Sequence, residues 1–375
     1  MPLQTSGQIS LNDLQGEFGG THPASMSEYR GKDCTDLTGP ISFSDFYGKD
    51  DFVAADSDSF FMVIRSNTNP TTNTVTQSHT FTVPCGVFIV HIVCVGGGAS
   101  GGEAFYSGGG GGGGSLTYVN NVDVTPGMQL EVKVGNGGAT GGTRSNGNNG
   151  YSSYVKKNGT TIALANGGSA GKGGTGNTTN FMGGAGGTAW NGSSAMSFAG
   201  TNATYASYAG GTGGRAEDDN AGGGGGAAGY AGRGGHGKSD DSVWNSIYNS
   251  PNPPTGSGGG SGSWTYNVNY LTNSPNSTAI GDRAGGVGLF GIGSDGNDYS
   301  KGGSGGADGL NFSGNSASPR AGEYGGGGSG AGLDQPGQTI SPEGLQPSNC
   351  GGQSGAPGAV RIIWGTNKSF PNNAS

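Results

Sequence analysis

One stretch of the sequence matches a known chemical device letter for letter: Gly232-Arg-Gly-Gly-His-Gly-Lys238-Ser239 has the pattern of a phosphate-cradling loop. Such a loop grips phosphate with backbone N–H groups, a lysine and a helix N-terminus, so it needs a strand before it and a helix after it. Neither is evident. Gly222 to Gly226 lie upstream, and Asp240 and Asp241 follow, where they would repel phosphate. A chain this rich in Gly produces such matches by chance, and its G-x-G-x-x-G matches carry no weight for the same reason. The four histidines, His22, His79, His91 and His236, are scattered. His91 stands inside an apolar run and is expected to be a hydrogen-bonded core residue. Glu217-Asp218-Asp219 and Asp295-Gly-Asn-Asp298 offer oxygen ligands for Ca²⁺, but neither has the spacing of a known calcium loop. Solvated carboxylates are the expectation for both. No Ser-His-Asp or paired-carboxylate pattern can be argued from residue order. No metal, cofactor or catalytic residue is assigned, and an enzyme is the least supported class.

The better candidates are aromatic. Trp190, Tyr205 and Tyr208 form one island, Trp244 and Tyr248 a second, and Trp264, Tyr266 and Tyr270 a third, with Tyr299 and Tyr324 later. They stand between Gly blocks, among Asn, Ser and Asp. Aromatic faces beside short polar side chains suit sugars and protein surfaces, giving large contact area at low entropy cost. The competing role is to cap the Gly segments and shield them from water. If the Gly blocks are rods, the islands are the loops at the rod ends.

Composition decides what must hold such loops. Of 375 residues 87 are Gly, about three times ordinary usage. Apolar residues other than Gly make up only 30%, so the core is small or built from packed backbone. The net charge is −8 and no basic block occurs, which sets nucleic acid aside. The most apolar run, Val87 to Val95, is far too short to span a bilayer as a helix. The N-terminus lacks the basic-then-apolar layout of a secretory signal, so folding in a cytoplasm is expected. Cys34, Cys85, Cys94 and Cys350 show no metal-site spacing. Four reduced thiols are the expectation.

Residues 1–50 form an expected helical module. Ser10-Leu-Asn-Asp13, Ser25-Met-Ser-Glu28 and Ser42-Phe-Ser-Asp45 each place Ser three positions before an acid. That arrangement caps a helix N-terminus reciprocally. Ile9 and Ile41 precede two of the caps as hydrophobic staples, and Leu11, Leu14, Phe18, Phe43, Phe46 and Tyr47 supply apolar faces. So small a unit needs outside support, which makes it an attachment module. Residues 51–76 read as a polar linker holding one strand at Phe60 to Ile64.

Residues 77–165 read as a β-sandwich base. The expected strands are Thr80 to Val83, Val87 to Val95, Ser115 to Val124, Met128 to Val134, and a hairpin of Tyr151 to Lys156 with Thr160 to Ala165 around Asn158-Gly159. The Val87 run is apolar on both faces, as in a doubly covered strand. Residues 166–358 are Gly blocks, and residues 359–375 hold a closing strand, Gly358-Ala-Val-Arg-Ile-Ile-Trp364, and a tail. That last strand needs a sheet to join, which would make the Gly-rich segment an excursion with fixed ends.

Gly is unfavourable in helices and leaves strands unpacked. Two states remain: a flexible coil, or a bundle of polyproline-II segments packed backbone to backbone. Collagen is excluded because Gly does not recur at every third position. Phe181, Trp190, Phe198, Leu289, Phe290, Ile292 and Phe312, embedded among the Gly blocks, argue against a coil. The fold class is therefore mostly β and irregular: a small helical N-terminal module, a β-sandwich and a polyproline-II bundle.

The N-terminal pattern Ser6-Gly-Gln-Ile-Ser-Leu-Asn-Asp13, Glu17-Phe18-Gly19 and Ile41-Ser-Phe-Ser-Asp-Phe-Tyr-Gly48 resembles the opening module of tailed-phage fibre and structural proteins, notably those of marine phages. Phe81-Thr-Val-Pro84, Val95-Gly-Gly-Gly98, Val124-Thr-Pro-Gly127, Val132-Lys-Val-Gly135 and the closing strand resemble the glycine-rich tip adhesins of T-even-like long tail fibres. The resemblance implies a sandwich of polyproline-II helices whose end turns meet the host surface. It implies a virion fibre protein with other virion proteins and a host glycan or outer-membrane protein as partners, and a homo-oligomer such as a trimer. A purely structural baseplate, neck or capsid-decoration protein is the alternative. An ice-binding protein would need regular polar rows, which the bulky islands interrupt.

Overall fold

The computed structural model describes residues 6–18, 57–62, 76–104, 108–142, 144–174, 181–216, 221–237, 278–280, 284–294, 321–322, 324–329, 331–333 and 353–374, with 25, 42–43, 239, 259, 296, 303–304, 306 and 308. The elements are α1 (Leu11–Phe18), β1 (Ser57–Met62), β2 (Thr76–Thr82), β3 (Ile89–Val95), β4 (Glu103–Ala104), β5 (Leu116–Asp123), β6 (Gln129–Gly135), β7 (Ser153–Lys157) and β8 (Thr160–Ala165). The short helix α2 (Met196–Ala199) follows, then β9 (Thr204–Tyr208), β10 (Thr278–Ile280), β11 (Ala331–Leu333) and β12 (Ala359–Trp364).

Helix α1 starts as its capping signal dictates. The Ser10 backbone N–H and hydroxyl both donate to Asp13 Oδ2 at 2.7 Å, and the Asp13 N–H donates to Ser10 Oγ at 3.3 Å. These bonds hold the Asp13 carboxyl below its ordinary pKa. Ile9 and Leu14, the staple positions, are both buried. Of the other two expected helical turns only Ser25, Ser42 and Phe43 are described; Ile41, Phe46 and Tyr47 lie outside the described residues.

Two antiparallel sheets face each other. One runs β1-β12-β3-β5-β9 and the other β2-β6-β7-β8, and a third, three-stranded sheet runs β10-β11-β4. The closing strand β12 inserts between β1 and β3, with Val360 opposite Cys94 and Ile362 opposite Ile92. The Gly-rich stretch is thus anchored at both ends. Two strands of this sheet come from outside the expected base: β1, whose Ser57 pairs with Trp364, and β9, whose Tyr208 pairs with Leu116. Strand β2 begins at Thr76, four residues before the expected Thr80.

The doubly apolar sequence of β3 is explained by two cores. Val90, Ile92 and Cys94 face the second sheet with Val119, Val360, Ile362, Leu130, Val132, Val155 and Ile162. Val93 and Val95 face the other way, with Leu116, Ile363, Tyr230, Leu289 and Phe370. Burial on both faces removes the alternation a half-exposed strand would show. His91 is buried in the strand, with Nδ1 3.2 Å from Asn120 Oδ1, and burial lowers its pKa. Asn120 also clamps the tail: its Nδ2 donates to the Phe370 carbonyl at 2.7 Å, and the Phe370 N–H donates to its Oδ1 at 2.9 Å.

Beyond the sheets the strands continue as glycine segments. Along residues 109–115 successive N–H groups donate to Lys172, Gly214, Gly328, Ser169, Gly211, Gly325 and Asn166. Every third residue meets the same neighbouring segment, and the partner number falls by three each time. The carbonyls behave alike: those of Gly109, Gly112 and Ser115 accept from Gly102, Ala99 and Gly96. Those of Gly110 and Gly113 accept from Gly184 and Gly187, and those of Gly108, Gly111 and Gly114 from Gly222, Gly225 and Ala228. An extended chain that turns a third of a revolution per residue and makes no internal bonds is a polyproline-II helix. Segment 108–115 is therefore a central rod surrounded by six others.

Three residues per turn with six neighbours leave no room for side chains. A methyl group at Gly113 would overlap the carbonyl of Gly226, and one at Gly110 that of Gly223. At Gly142 the nearest atom to such a methyl, the Ser145 hydroxyl, is 3.7 Å away. Gly113→Ala should therefore cost at least the roughly 1–3 kcal/mol of core overpacking, whereas Gly142→Ala should leave the unfolding midpoint in denaturant unchanged. Equal midpoints for the two variants would contradict the rod packing.

Candidate functional site

The body has two chemically different ends. At the base end lie the turns Pro84–Val87, Thr125–Met128 and Asn158-Gly159, together with Ser57, through which the N-terminal residues arrive. At the far end the rods finish around Glu103, Ser145, Gly174, Phe181 and Ala216, tied by the bridges Ala104 to Gly174 and Phe181 to Ala216.

The structure corrects the placement of the first aromatic island. Tyr205 and Tyr208 belong to β9, in the base sheet, and are not on loops at rod ends. Trp190 and Tyr205 are half-buried against the inter-sheet core, edge to face with centroids 5.7 Å apart. The Trp190 backbone N–H donates to Ser207 Oγ at 2.8 Å, and the Tyr205 hydroxyl to Asn191 Oδ1 at 3.3 Å. Tyr208 packs on the second core beside Tyr118. Residues that alternate in a paired strand are drawn into the sheet whatever Gly flanks them. Trp244, Tyr248, Trp264, Tyr266 and Tyr270 lie outside the described residues, as do both acidic patches except Asn297's neighbour Gly296. Among the described residues no group of three or more His, Cys, Asp or Glu is placed to hold a metal ion.

The segment resembling a phosphate loop has another role. Residues 222–237 form a rod and its return, with no strand before the motif. The Gly237 N–H donates to the Thr212 carbonyl at 2.8 Å, and the Arg215 N–H to Ser239 Oγ at 2.7 Å. His236 Nδ1 accepts the Thr212 N–H at 3.0 Å and lies 2.7 Å from its hydroxyl. Burial, assisted by the charge of Arg233, lowers the His236 pKa to about 4, so the ring is neutral at physiological pH.

These contacts build a cleft of about 210 Å³ lined by Met182, Thr212, Arg215 and Ser239 over the backbone of Gly183, Gly213 and Gly237. Its lining residues carry two hydroxyls, a guanidinium and the thioether of the exposed Met182. Its volume is below the roughly 300–1,000 Å³ of ordinary small-molecule sites, so it suits one projecting group of a larger surface. Sequence reasoning missed it; the available signal was a cation closing the Gly block 210–214.

The far end also holds a buried acid. Glu103 is 2% exposed, and burial raises its pKa to about 7 against the opposing N–H bond and charge of Arg144. A raised carboxyl pKa favours the protonated form in the fold, so this contribution is fully present below the ordinary value of 4.5 and fades as pH rises through 7.

With this geometry in place the chain can be assigned. A family model described as a glycine-rich domain matches residues 71–365, and the chain belongs to that family. The matched span covers every described strand except β1, together with the described rods. No curated protein matches the chain significantly.

Glu103→Gln, which keeps the shape and removes the charge, should stabilise the protein above pH 7 by about 1–3 kcal/mol and do nothing at pH 4. Urea midpoints at both pH values test this. An equal effect at both would assign the change to packing.

Proposed function

We propose that this protein is a phage virion fibre or adhesin, fixed to the particle by its N-terminal module and binding the host surface through loops at the far end of the glycine bundle. One observation carries the reading. The N-terminal residues arrive at the base through Ser57, opposite Trp364, while the rods finish some 25 Å beyond the sheets, taking eight residues at about 3.1 Å each. Tether and loops are thus held apart by a body that needs little side-chain bulk. Rigid presentation of variable loops lowers the ordering cost of binding.

In this reading the buried Ile9 and Leu14 hold α1 together, and Leu11, Phe18, Ile41, Phe43, Phe46 and Tyr47 serve attachment to other virion proteins. A trimer at the fibre end would multiply weak contacts. Binding of a surface glycan or outer-membrane protein falls to Trp244, Tyr248, Trp264, Tyr266 and Tyr270. Trp190, Tyr205 and Tyr208 take the capping role that their burial in the base favours. That burial also fits the alternative, a purely structural virion part in which the aromatics only seal the bundle. No catalytic role is proposed.

Replacing Trp244, Tyr248, Trp264, Tyr266 and Tyr270 by Ser should leave particle assembly normal and reduce host adsorption at least tenfold, the equivalent of about 1.4 kcal/mol. Unchanged adsorption would remove the adhesin reading. Failed assembly would favour the structural one.

A further inference from the structure

Cys85 is disulfide-bonded, which corrects the expectation of four reduced thiols. Its partner is not Cys94, which is a free thiol buried in β3, its pKa raised by burial. The chain has two other cysteines, Cys34 and Cys350.

Geometry separates them. Cys85 lies in the base turn Pro84–Val87, just past Phe81, whose ring is 5.7 Å from that of Trp364. Cys350 is three residues from Gln353, which pairs with Gly101 and Ser329 far along the rods. From Gln353 to Ala359 the chain runs as a rod, and from Ala359 to Trp364 as β12. Together these span roughly 35 Å at about 3.1 Å and 3.3 Å per residue. Three extended residues recover at most about 11 Å, and a disulfide requires Cα atoms within about 7 Å. Cys34 meets no such limit. It precedes Ser57, itself at the base end, by 23 residues, enough to reach any point there.

We infer that Cys34 and Cys85 form a disulfide that staples the N-terminal module to the base of the sandwich. The bond forms from two thiols and an external disulfide, RSSR. Each exchange step passes through a thiolate attack, and the products are one protein S–S bond and two RSH. Such chemistry belongs to an oxidising compartment. The bond would therefore close once the protein leaves a reducing cytoplasm, joining the N-terminal module to the base at a point other than β1. The inference stands on the base geometry alone and holds whether or not the far end binds a host.

The purified full-length protein is equilibrated in a buffer of oxidised and reduced glutathione, denatured, and its thiols are blocked by alkylation. Peptide mapping should show Cys94 and Cys350 alkylated and one cross-linked peptide joining Cys34 to Cys85; prior reduction should expose all four. In the Cys34→Ser variant Cys85 should become alkylated. A peptide linking Cys85 to Cys350, a disulfide between chains, four alkylated thiols without reduction, or a Cys85 still protected from alkylation in the variant would each overturn the inference.

Discussion

The structure depends on one kind of contact, main chain laid directly against main chain. Each rod residue offers one N–H and one carbonyl, and the three-residue turn sends them to different neighbours in rotation. In residues 109–115 this satisfies donors and acceptors alike, although almost no side chain is present. A buried backbone group left unpaired costs about 1–3 kcal/mol, so the lattice is cooperative: losing one rod leaves groups unpaired on several others. Glycine is required here because any larger residue overlaps a carbonyl, as at Gly113 against Gly226.

The rods do not choose their own register, because glycine carries no side chain to encode it. The register is inherited from the sandwich. Strand β3 leads straight into Gly96, residues 108–114 lead into β5, β8 leads into Asn166, and residues 355–358 lead into β12. Ordinary apolar packing in the sheets therefore sets the phase of a bundle that contains little apolar material. This explains the doubly buried central strands and the clamp of Asn120 on the Phe370 backbone. It also explains why the tail from 365 to 374 is folded back onto the sheet: Phe370 completes the second core, stacked on Tyr230 at 6.0 Å.

What could be read from the residues follows the same division. The Val87 run, the hairpin at Asn158-Gly159 and the closing strand were legible because their side chains alternate or fill both faces. The Ser10–Asp13 cap was legible because its chemistry is local. Strand β9 was not: Thr204-Tyr-Ala-Ser-Tyr208 is short and flanked by Gly and reads as a loop island, whereas its pairing with β5 draws Tyr205 and Tyr208 into the base sheet. The pairing of rods was invisible, since it resides in chain geometry and not in residue type. The cleft at Arg215 and Ser239 was hidden for the same reason, because it exists only where two rods bring 215 and 239 together.

The most direct measurement of the backbone lattice is amide hydrogen exchange along residues 109–115. If the rods are as described, these glycine amides exchange as slowly as those of β3 and β5, through global unfolding only. Exchange at the rate of a free glycine peptide, with β3 and β5 still protected, would contradict the account.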